Sequence, residues 1–284
     1  MKLLSFNTLD LYGSDEKSAQ PRFRAIEKYL QASDADVVAV QEVIAPDRDW
    51  QDKTQLAERH VHLLAEATGR ICVCDDGVPA VGVGGGVHHT ALLWRSGIEV
   101  VPGSVTRLGR ADAGMWHSLV AAVFDLGGPR LRIASVHLSP FSPAWGEMDA
   151  AQVLRAINVG STPGLVGGDF NGVGADPCYD PDPYADVPWH PAQAFALAPE
   201  GGVDRRVARL LEHQGRLQDC ARLAGAPWAA TVGHWPGDRH PPRRIDRWYG
   251  SWHLPPAAVT GYRVLDDATD LSDHRPIEVT LDLG

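Results

Sequence analysis

The stretch Gly167-Gly168-Asp169-Phe170-Asn171 constrains the fold more than any other in the chain. It follows Pro163 to Val166, a run that reads as the end of a buried strand. The two glycines let a backbone turn tightly, or let a ligand approach it closely. On an extended backbone a spacing of two puts Asp169 and Asn171 on one face. A carboxylate beside a carboxamide can serve a water or a metal on one side and a phosphate oxygen on the other. Gly-Asp-x-Asn is also an ordinary turn sequence, so a functional reading needs support from the rest of the chain.

The bulk composition sets limits. With 284 residues and 44% hydrophobic content, the chain can bury a large core. Its formal net charge of -10 gives no broad basic field of the kind that drives sequence-independent nucleic-acid binding. A nuclease is not excluded, since a bound cation can supply local positive charge. The four cysteines, Cys72, Cys74, Cys178 and Cys220, form no pair or Cys/His cluster with zinc spacing. They read as free thiols with no disulfide partner. No apolar leader and no membrane span is visible, so the expected setting is the cytoplasm.

Along the chain, Leu3 to Thr8 reads as a strand with Asn7 near its end, and Pro21 opens a helix carrying Phe23, Ile26 and Leu30. Asp36 to Gln41 reads as a fully buried strand that delivers Glu42. Thr54 to Thr68 reads as a helix with Leu56, Leu63, Leu64 and Ala67 on one face, ended by Gly69. Val78 to Gly86 is a glycine-rich loop before a strand at Thr90 to Trp94. Leu119 to Leu126 and Leu131 to His137 form a hairpin across Gly127-Gly128-Pro129-Arg130, and the second strand delivers His137. Met148, Ala151, Leu154 and Ile157 mark a helix. Prolines 177, 181, 183, 188 and 191 make Ala175 to Pro191 an irregular surface loop. A helix at Val203 to His213, a strand at Arg244 to Tyr249 carrying Asp246, the pair Asp273-His274 and a last strand from Ile277 to Leu283 complete the chain. No linker separates two cores, so residues 1–284 are expected to form a single domain.

The polar residues at strand ends are thus Asn7, Glu42, His137, Asp169, Asn171 and Asp246, joined by Asp273 and His274. The order of motifs resembles the endonuclease/exonuclease/phosphatase superfamily, which has the deoxyribonuclease I fold. The resemblance lies in Ser5-Phe6-Asn7, Val40-Gln41-Glu42-Val43, Val136-His137-Leu138, Gly167 to Asn171, Arg244-Ile245-Asp246 and Ser272-Asp273-His274-Arg275-Pro276. It implies a four-layer α/β/β/α sandwich of two packed mixed sheets flanked by helices. It also implies a phosphoesterase that uses one or two divalent cations, Mg2+ in the first place and Mn2+ in the second.

By that resemblance Glu42, Asn7 and Asp273 lie at the metal. Asp246 would fix the tautomer of His274, leaving its other nitrogen to take a proton from water. Asp169 would orient that water, Asn171 would donate to a phosphate oxygen, and His137 would face the phosphate from the opposite side to stabilise charge or protonate the leaving group. Each residue also has a plain structural use: an ion pair with Arg244 or Arg247 for Asp246, a satisfied buried imidazole for His137. Of the remaining histidines, His88 and His89 end the glycine-rich loop and are the ones expected to face a ligand.

The loops decide the substrate. A nucleic-acid groove would use Arg205, Arg206 and Arg209, or Arg239, Arg243, Arg244 and Arg247 with Trp248 and Tyr249 as stacking faces. Trp116, Trp145, Trp189 and Trp235 could instead rim a compact substrate, with the proline-rich loop as a lid. The lid and the net negative charge favour a small phosphorylated molecule. A nuclease acting on DNA or RNA is the alternative, and a catalytically silent binding module of the same fold a further one.

Overall fold

A computed structural model describes residues 1–14, 17–46 and 49–284 of the chain. In chain order the strands are β1 (Lys2–Leu11), β2 (Val37–Ile44), β3 (Val81–Gly82), β4 (His88–Trp94), β5 (Glu99–Val100), β6 (Thr106–Leu108), β7 (Leu119–Asp125), β8 (Arg130–His137), β9 (Gly164–Asp169), β10 (Gln218–Asp219), β11 (Asp246–Gly250), β12 (Val259–Val264) and β13 (Ile277–Leu281). The helices are α1 (Gln20–Ala32), α2 (Trp50–Thr68), α3 (Arg110–Ala113), α4 (Pro143–Ile157), α5 (Arg206–Arg209) and α6 (Cys220–Leu223).

The strands pair into two mixed sheets. One runs β12-β13-β1-β2-β4-β3 and the other β10-β11-β9-β8-β7-β5, with β6 beside β7. Each has one parallel pair at its centre, β1 with β2 and β8 with β9. The sheets pack face to face through Leu3, Ala39, Leu92 and Trp94 from one side and Ala122, Phe124, Leu165 and Trp248 from the other. Helices α1 and α2 cover the outside of the first sheet through Phe23, Ile26, Leu30, Val61 and Leu64. Helix α4 covers the second through Ala150, Val153 and Ile157, with Leu211 beside it. The expected four layers are present. Strands buried on both faces are what such cover produces, which is why Val37 to Val40 shows no alternation.

Buried polar contacts fix the two sheets in register beneath the strand ends. Gln41 Nε2 donates to Ser135 Oγ at 2.9 Å, and Ser135 Oγ donates to the Val40 carbonyl. Ser5 Oγ donates to Gln41 Oε1 at 3.3 Å. A buried network of satisfied polar groups of this kind favours one sheet alignment over its slipped alternatives.

Several expectations need correction. Helix α2 starts at Trp50, where Asp49 caps it through the backbone N–H of Gln51 and Asp52, and it buries Ala57, Val61 and Leu64 while Leu63 is exposed. In α4 the buried set is Gly146, Asp149, Ala150, Val153, Ala156 and Ile157, and Met148 is 69% exposed. A strict spacing of three drifts around a helix of 3.6 residues per turn, so Met148 and Ala151 leave the covered face. The glycine-rich stretch holds a short strand, β3. The region from Val203 to His213 is helical only from Arg206 and widens into a π turn at Leu210–Gln214. The last strand ends at Leu281.

Candidate active site

Strand register assembles the second sheet's share of the site. His137 on β8 lies opposite Asp169 on β9, and Asp246 on β11 lies opposite Asp169 from the other side. Three functional side chains therefore share one level of three adjacent strands. The glycines before Asp169 make that level possible. A Cβ at Gly168 would stand 1.8 Å from the Val136 carbonyl oxygen on the neighbouring strand. A Cβ at Gly167 would stand 2.6 Å from the Trp248 indole, which crosses it. The pair thus serves close strand and indole contact within β9. The turn follows one step later, at Asn171 (φ 48°), whose backbone N–H bonds to Asp169 Oδ1 at 2.8 Å. Asn171 Nδ2 also donates to the Leu138 carbonyl at 2.8 Å, which leaves one amide hydrogen for a ligand.

The first sheet contributes through two bulges. Pairing between β1 and β2 slips after Asn7, and pairing between β2 and β4 slips after Val40. Glu42 sits in the second bulge at φ 63°, and Leu9 and Asp10 in the first at φ 47° and 54°. Bulges re-aim side chains at strand ends. Here they turn Glu42 and Asp10 toward the same space. Asn7 Nδ2 donates to Glu42 Oε1 at 3.1 Å and to Asp169 Oδ2 at 3.2 Å, so one buried carboxamide holds a carboxylate from each sheet. Its oxygen accepts the Leu9 N–H at 3.2 Å. Asn7 therefore brackets Glu42 and Asp169, and its oxygen keeps a second lone pair.

His274, from the loop before β13, closes the site. Its Nδ1 lies 2.9 and 3.1 Å from the two oxygens of Asp246, and its Nε2 lies 3.8 Å from Asp169 Oδ2. Asp273 Oδ1 is 4.0 Å from the same nitrogen, on a half-exposed side chain. Burial works against the imidazolium, yet Asp246 and then Asp169 outweigh it, and the His274 pKa is pushed up to about 10. Asp169 is the converse. Burial raises its carboxyl to about 7 although His274 pulls it down. These directions favour a protonated His274 beside an Asp169 that ionises near neutrality, whereas the resemblance implies a neutral His274 as proton acceptor.

His137 Nε2 lies 3.4 Å from Asp169 Oδ2, and its Nδ1 is buried without a partner. Burial, then His117, holds its pKa well below the ordinary histidine value. That direction favours the neutral imidazole, which has one N–H to donate. His117 carries no motif in the sequence, yet its ring packs on His137 with centroids 3.8 Å apart. Asp10 was also missed. Its Oδ1 lies 2.8 Å from His88 Nε2, and its backbone N–H donates to Glu42 Oε2 at 3.1 Å. Neither carried a motif; only the fold brings them in.

Three proposed substrate contacts do not reach the cleft. His89 is fully buried, with Nδ1 accepting the Gly84 N–H at 3.2 Å. Trp248 lies in the core between the sheets. Arg247 is buried and donates to the carbonyls of Gly172 and Arg244. Arg247 and Trp248 sit on β11, every residue of which is buried, and His89 sits buried on β4, so none of the three has a solvent side. Arg244 is likewise clamped between Asp180 and Asp219. Arg205, buried, donates to the Gly174 and Asp180 carbonyls, and Arg206 pairs with Asp204 at 2.9 Å.

The cleft that remains has a volume of about 420 Å³ and is lined by Glu42, His88, His117, His137, Asp169, Asn171 and His274 on the polar side. Gly85, Gly86, Val87, Trp116, Pro140 and Phe141 form the rest, and no Lys or Arg lines it among the described residues. Two groups of side chains there have ligand atoms within 4.8 Å of one another: Asp10, Glu42 and His88, and Asp169, Asp246 and His274.

The model of the Endonuclease/Exonuclease/phosphatase family matches residues 4–274, and the chain belongs to that family. Among solved structures it is similar to a mannosyl-6-phosphatase from Bacteroides thetaiotaomicron, at 16% identity over 100% of both chains with a TM-score of 0.65. It is similar to a 3' phosphatase from Neisseria bound to product DNA hairpin, at 17% identity over 99% of each chain and a TM-score of 0.59. A functionally unknown conserved protein from Enterococcus faecalis also resembles it, at 18% identity over 99% of each chain and a TM-score of 0.65. No curated protein matches the sequence.

Proposed function

We propose that the protein is a metal-dependent hydrolase of a phosphate ester carried by a small molecule. The observation that carries this reading is the convergence of Glu42, Asp169, His137 and His274 in one cleft, with Asp246 behind His274 and no Lys or Arg in the described lining. Phosphoester cleavage needs a placed water, an acceptor for its proton and positive charge against the phosphate oxygens.

Each need has a candidate. Asp169 is held between His137, Asn7 and His274, and its raised pKa matches a general base near neutral pH. It takes the proton of the attacking water. His274, kept as an imidazolium by Asp246, donates from Nε2 to a phosphate oxygen. Asn171 and neutral His137 donate to the oxygens beside it.

The donor set also fits a divalent cation. Glu42 and Asp10 offer hard oxygens, and the neighbouring oxygen and nitrogen atoms of Asp10 and His88, 2.8 Å apart, are spaced like adjacent ligands of one small ion. Mg2+ suits the oxygens, Mn2+ tolerates the imidazole, and one or two ions are compatible with the two acidic groups. Asp273 stands at the rim beside His274. The cation would offset charge building up on the phosphate.

A small substrate is favoured over nucleic acid because no Lys or Arg lines the cleft among the described residues, and Arg244, Arg205 and Arg206 are held by acidic or carbonyl partners. The volume matches a single drug-sized ligand. The similar solved structures include one with bound DNA, which keeps a nuclease as the second reading. A silent binding module would have no use for a strained Glu42 and a buried charged pair. A cytoplasmic setting belongs to the same proposal: all four cysteines are free, and no described helix is long and apolar enough to cross a membrane. A phosphate-release screen over sugar phosphates, nucleotides and nucleic acid with Mg2+ tests the reading. Plasmid nicking without release from small esters would replace it by the nuclease.

A further inference from the structure

The tryptophans picked out as a rim separate into two kinds. Trp189 and Trp235 do not join the cleft. Trp116 lines it together with Phe141, and Trp145 packs against both rings to extend them outward. The three rings come from three segments: the turn before β7, the loop after β8 and the first turn of α4. Their centroids are 5.4 Å (Trp116–Phe141), 5.9 Å (Phe141–Trp145) and 6.4 Å (Trp116–Trp145) apart, edge-on or tilted. They remain 38%, 43% and 48% exposed. Edge-to-face contact leaves ring faces uncovered. Contiguous exposed aromatic area of this kind marks a binding surface more often than a lone surface tryptophan does.

The cluster is built rather than loose. Gly86 N–H donates to the Trp116 carbonyl at 2.7 Å, and a Cβ at Gly86 would stand 2.6 Å from Trp116 Nε1. Gly85 N–H donates to the Met115 carbonyl at 3.1 Å. Buried Lys53 holds both glycines from behind, its Nζ donating to the Gly85 and Gly86 carbonyls at 3.1 Å each. On the other side Ser142 Oγ accepts the Trp145 N–H at 3.3 Å as the cap of α4. Buried Asp149 accepts the Ser139 N–H at 2.9 Å and so fixes the loop that carries Phe141.

The wall is continuous with the catalytic groups. Phe141 lies 6.5 Å from the His117 ring, which stacks on His137, which touches Asp169. We propose that Trp116, Phe141 and Trp145 form a stacking subsite for an uncharged ring carried by the alcohol half of the phosphate ester. Aromatic faces recognise a nucleobase and the C–H face of a pyranose alike, and the absence of Lys and Arg from the described lining rules against a second phosphate as the recognised group. The inference rests on the phosphoesterase reading for where the phosphate sits.

The test separates the two. Asp169→Asn protein with Mg2+ is titrated with adenosine monophosphate, glucose 6-phosphate and glycerol phosphate, and quenching of tryptophan fluorescence is read. At least one ring-bearing ligand should bind about tenfold more tightly than glycerol phosphate. Trp145→Ala and Phe141→Ala should each cut that ratio by about tenfold, and Trp145→Phe should restore most of it. Tighter binding of the nucleotide assigns a base to the wall, and tighter binding of glucose 6-phosphate assigns a sugar. Equal Kd values for all three ligands, or a ratio that Trp145→Ala and Phe141→Ala leave within twofold, overturns the subsite. Since no turnover is read, an inactive wild-type enzyme would count against the phosphoesterase reading and leave the binding result to stand by itself. Matching thermal melts for the variants show that a lost ratio is not lost folding.

Discussion

Asp246→Asn is the sharpest probe of the buried pair. The carboxylate lies 2.9 Å from His274 Nδ1 and is the strongest of the influences that raise the imidazole against its burial. The amide keeps the shape and one acceptor but removes the charge. His274 should then lose its proton at a far lower pH, and its second nitrogen should no longer present positive charge to phosphate. Loss of one well-placed proton or charge partner is worth about a hundred- to ten-thousand-fold in rate. The folded protein reports the same change independently. His274 titrates at about 10 in the folded chain against an ordinary 6.5. Between those values the folded state holds a proton that the unfolded state has lost. The stabilisation is therefore complete below about pH 6.5 and drains away as pH rises toward 10. Breaking a buried pair costs about 3–5 kcal/mol, and the retained acceptor places this variant near the lower bound. At about 2–4 °C per kcal/mol, Tm should fall by roughly 6 °C or more at pH 6 and by clearly less at pH 9.5. The assays are kcat/KM on a phosphomonoester and calorimetric melts at the two pH values. A rate within tenfold of wild type, together with a Tm difference that is the same at both, would refute the reasoning.

Asp169→Asn should lower kcat by orders of magnitude with the fold intact, and wild-type activity should rise with pH through a limb at or below about 7, where Asp169 ionises; a flat profile from pH 5.5 to 8.5 would sink its role as base. Glu42→Gln should raise the metal concentration needed for half-maximal activity, and an unchanged metal titration removes Glu42 from the ligand set. Acid stability follows from the buried imidazoles. Burial lowers His89 and His117 to about 3 and His137 well below the ordinary value, so each takes away stability as pH falls below 6.5. Asp149, held up to about 6 by burial, and Asp169 at about 7 change in the opposite sense. Three losses against two gains leave a net decline, so Tm should drop from pH 6 to pH 5, and a Tm that rises over that interval contradicts these assignments.

The layers were legible because period and strand-end chemistry agree locally. Val37 to Val40 reads as a strand buried on both faces and is one, and the motif order around Asn7, Glu42, Asp169, Asp246 and His274 carried the fold. What stayed hidden is set by register. Nothing in Leu9-Asp10 or Gln41-Glu42 announces the two bulges that aim Asp10 and Glu42 together. Arg244, Arg247 and Trp248 look like a basic aromatic groove in sequence; Asp180 and Asp219, far away in the chain, neutralise Arg244 and Arg247 in the interior instead. Proton inventory was hidden too, because burial and three carboxylates around His274 decide it, and those distances do not exist before the chain folds.

The most direct measurement is phosphate release from a ring-bearing phosphomonoester by wild-type and Asp169→Asn protein, with Mg2+ or Mn2+ present and again after chelation. Wild type should turn over, chelation should abolish that turnover and added metal restore it, and the variant should be slower by at least about a hundredfold. Turnover that survives chelation, or that the variant retains, would contradict it.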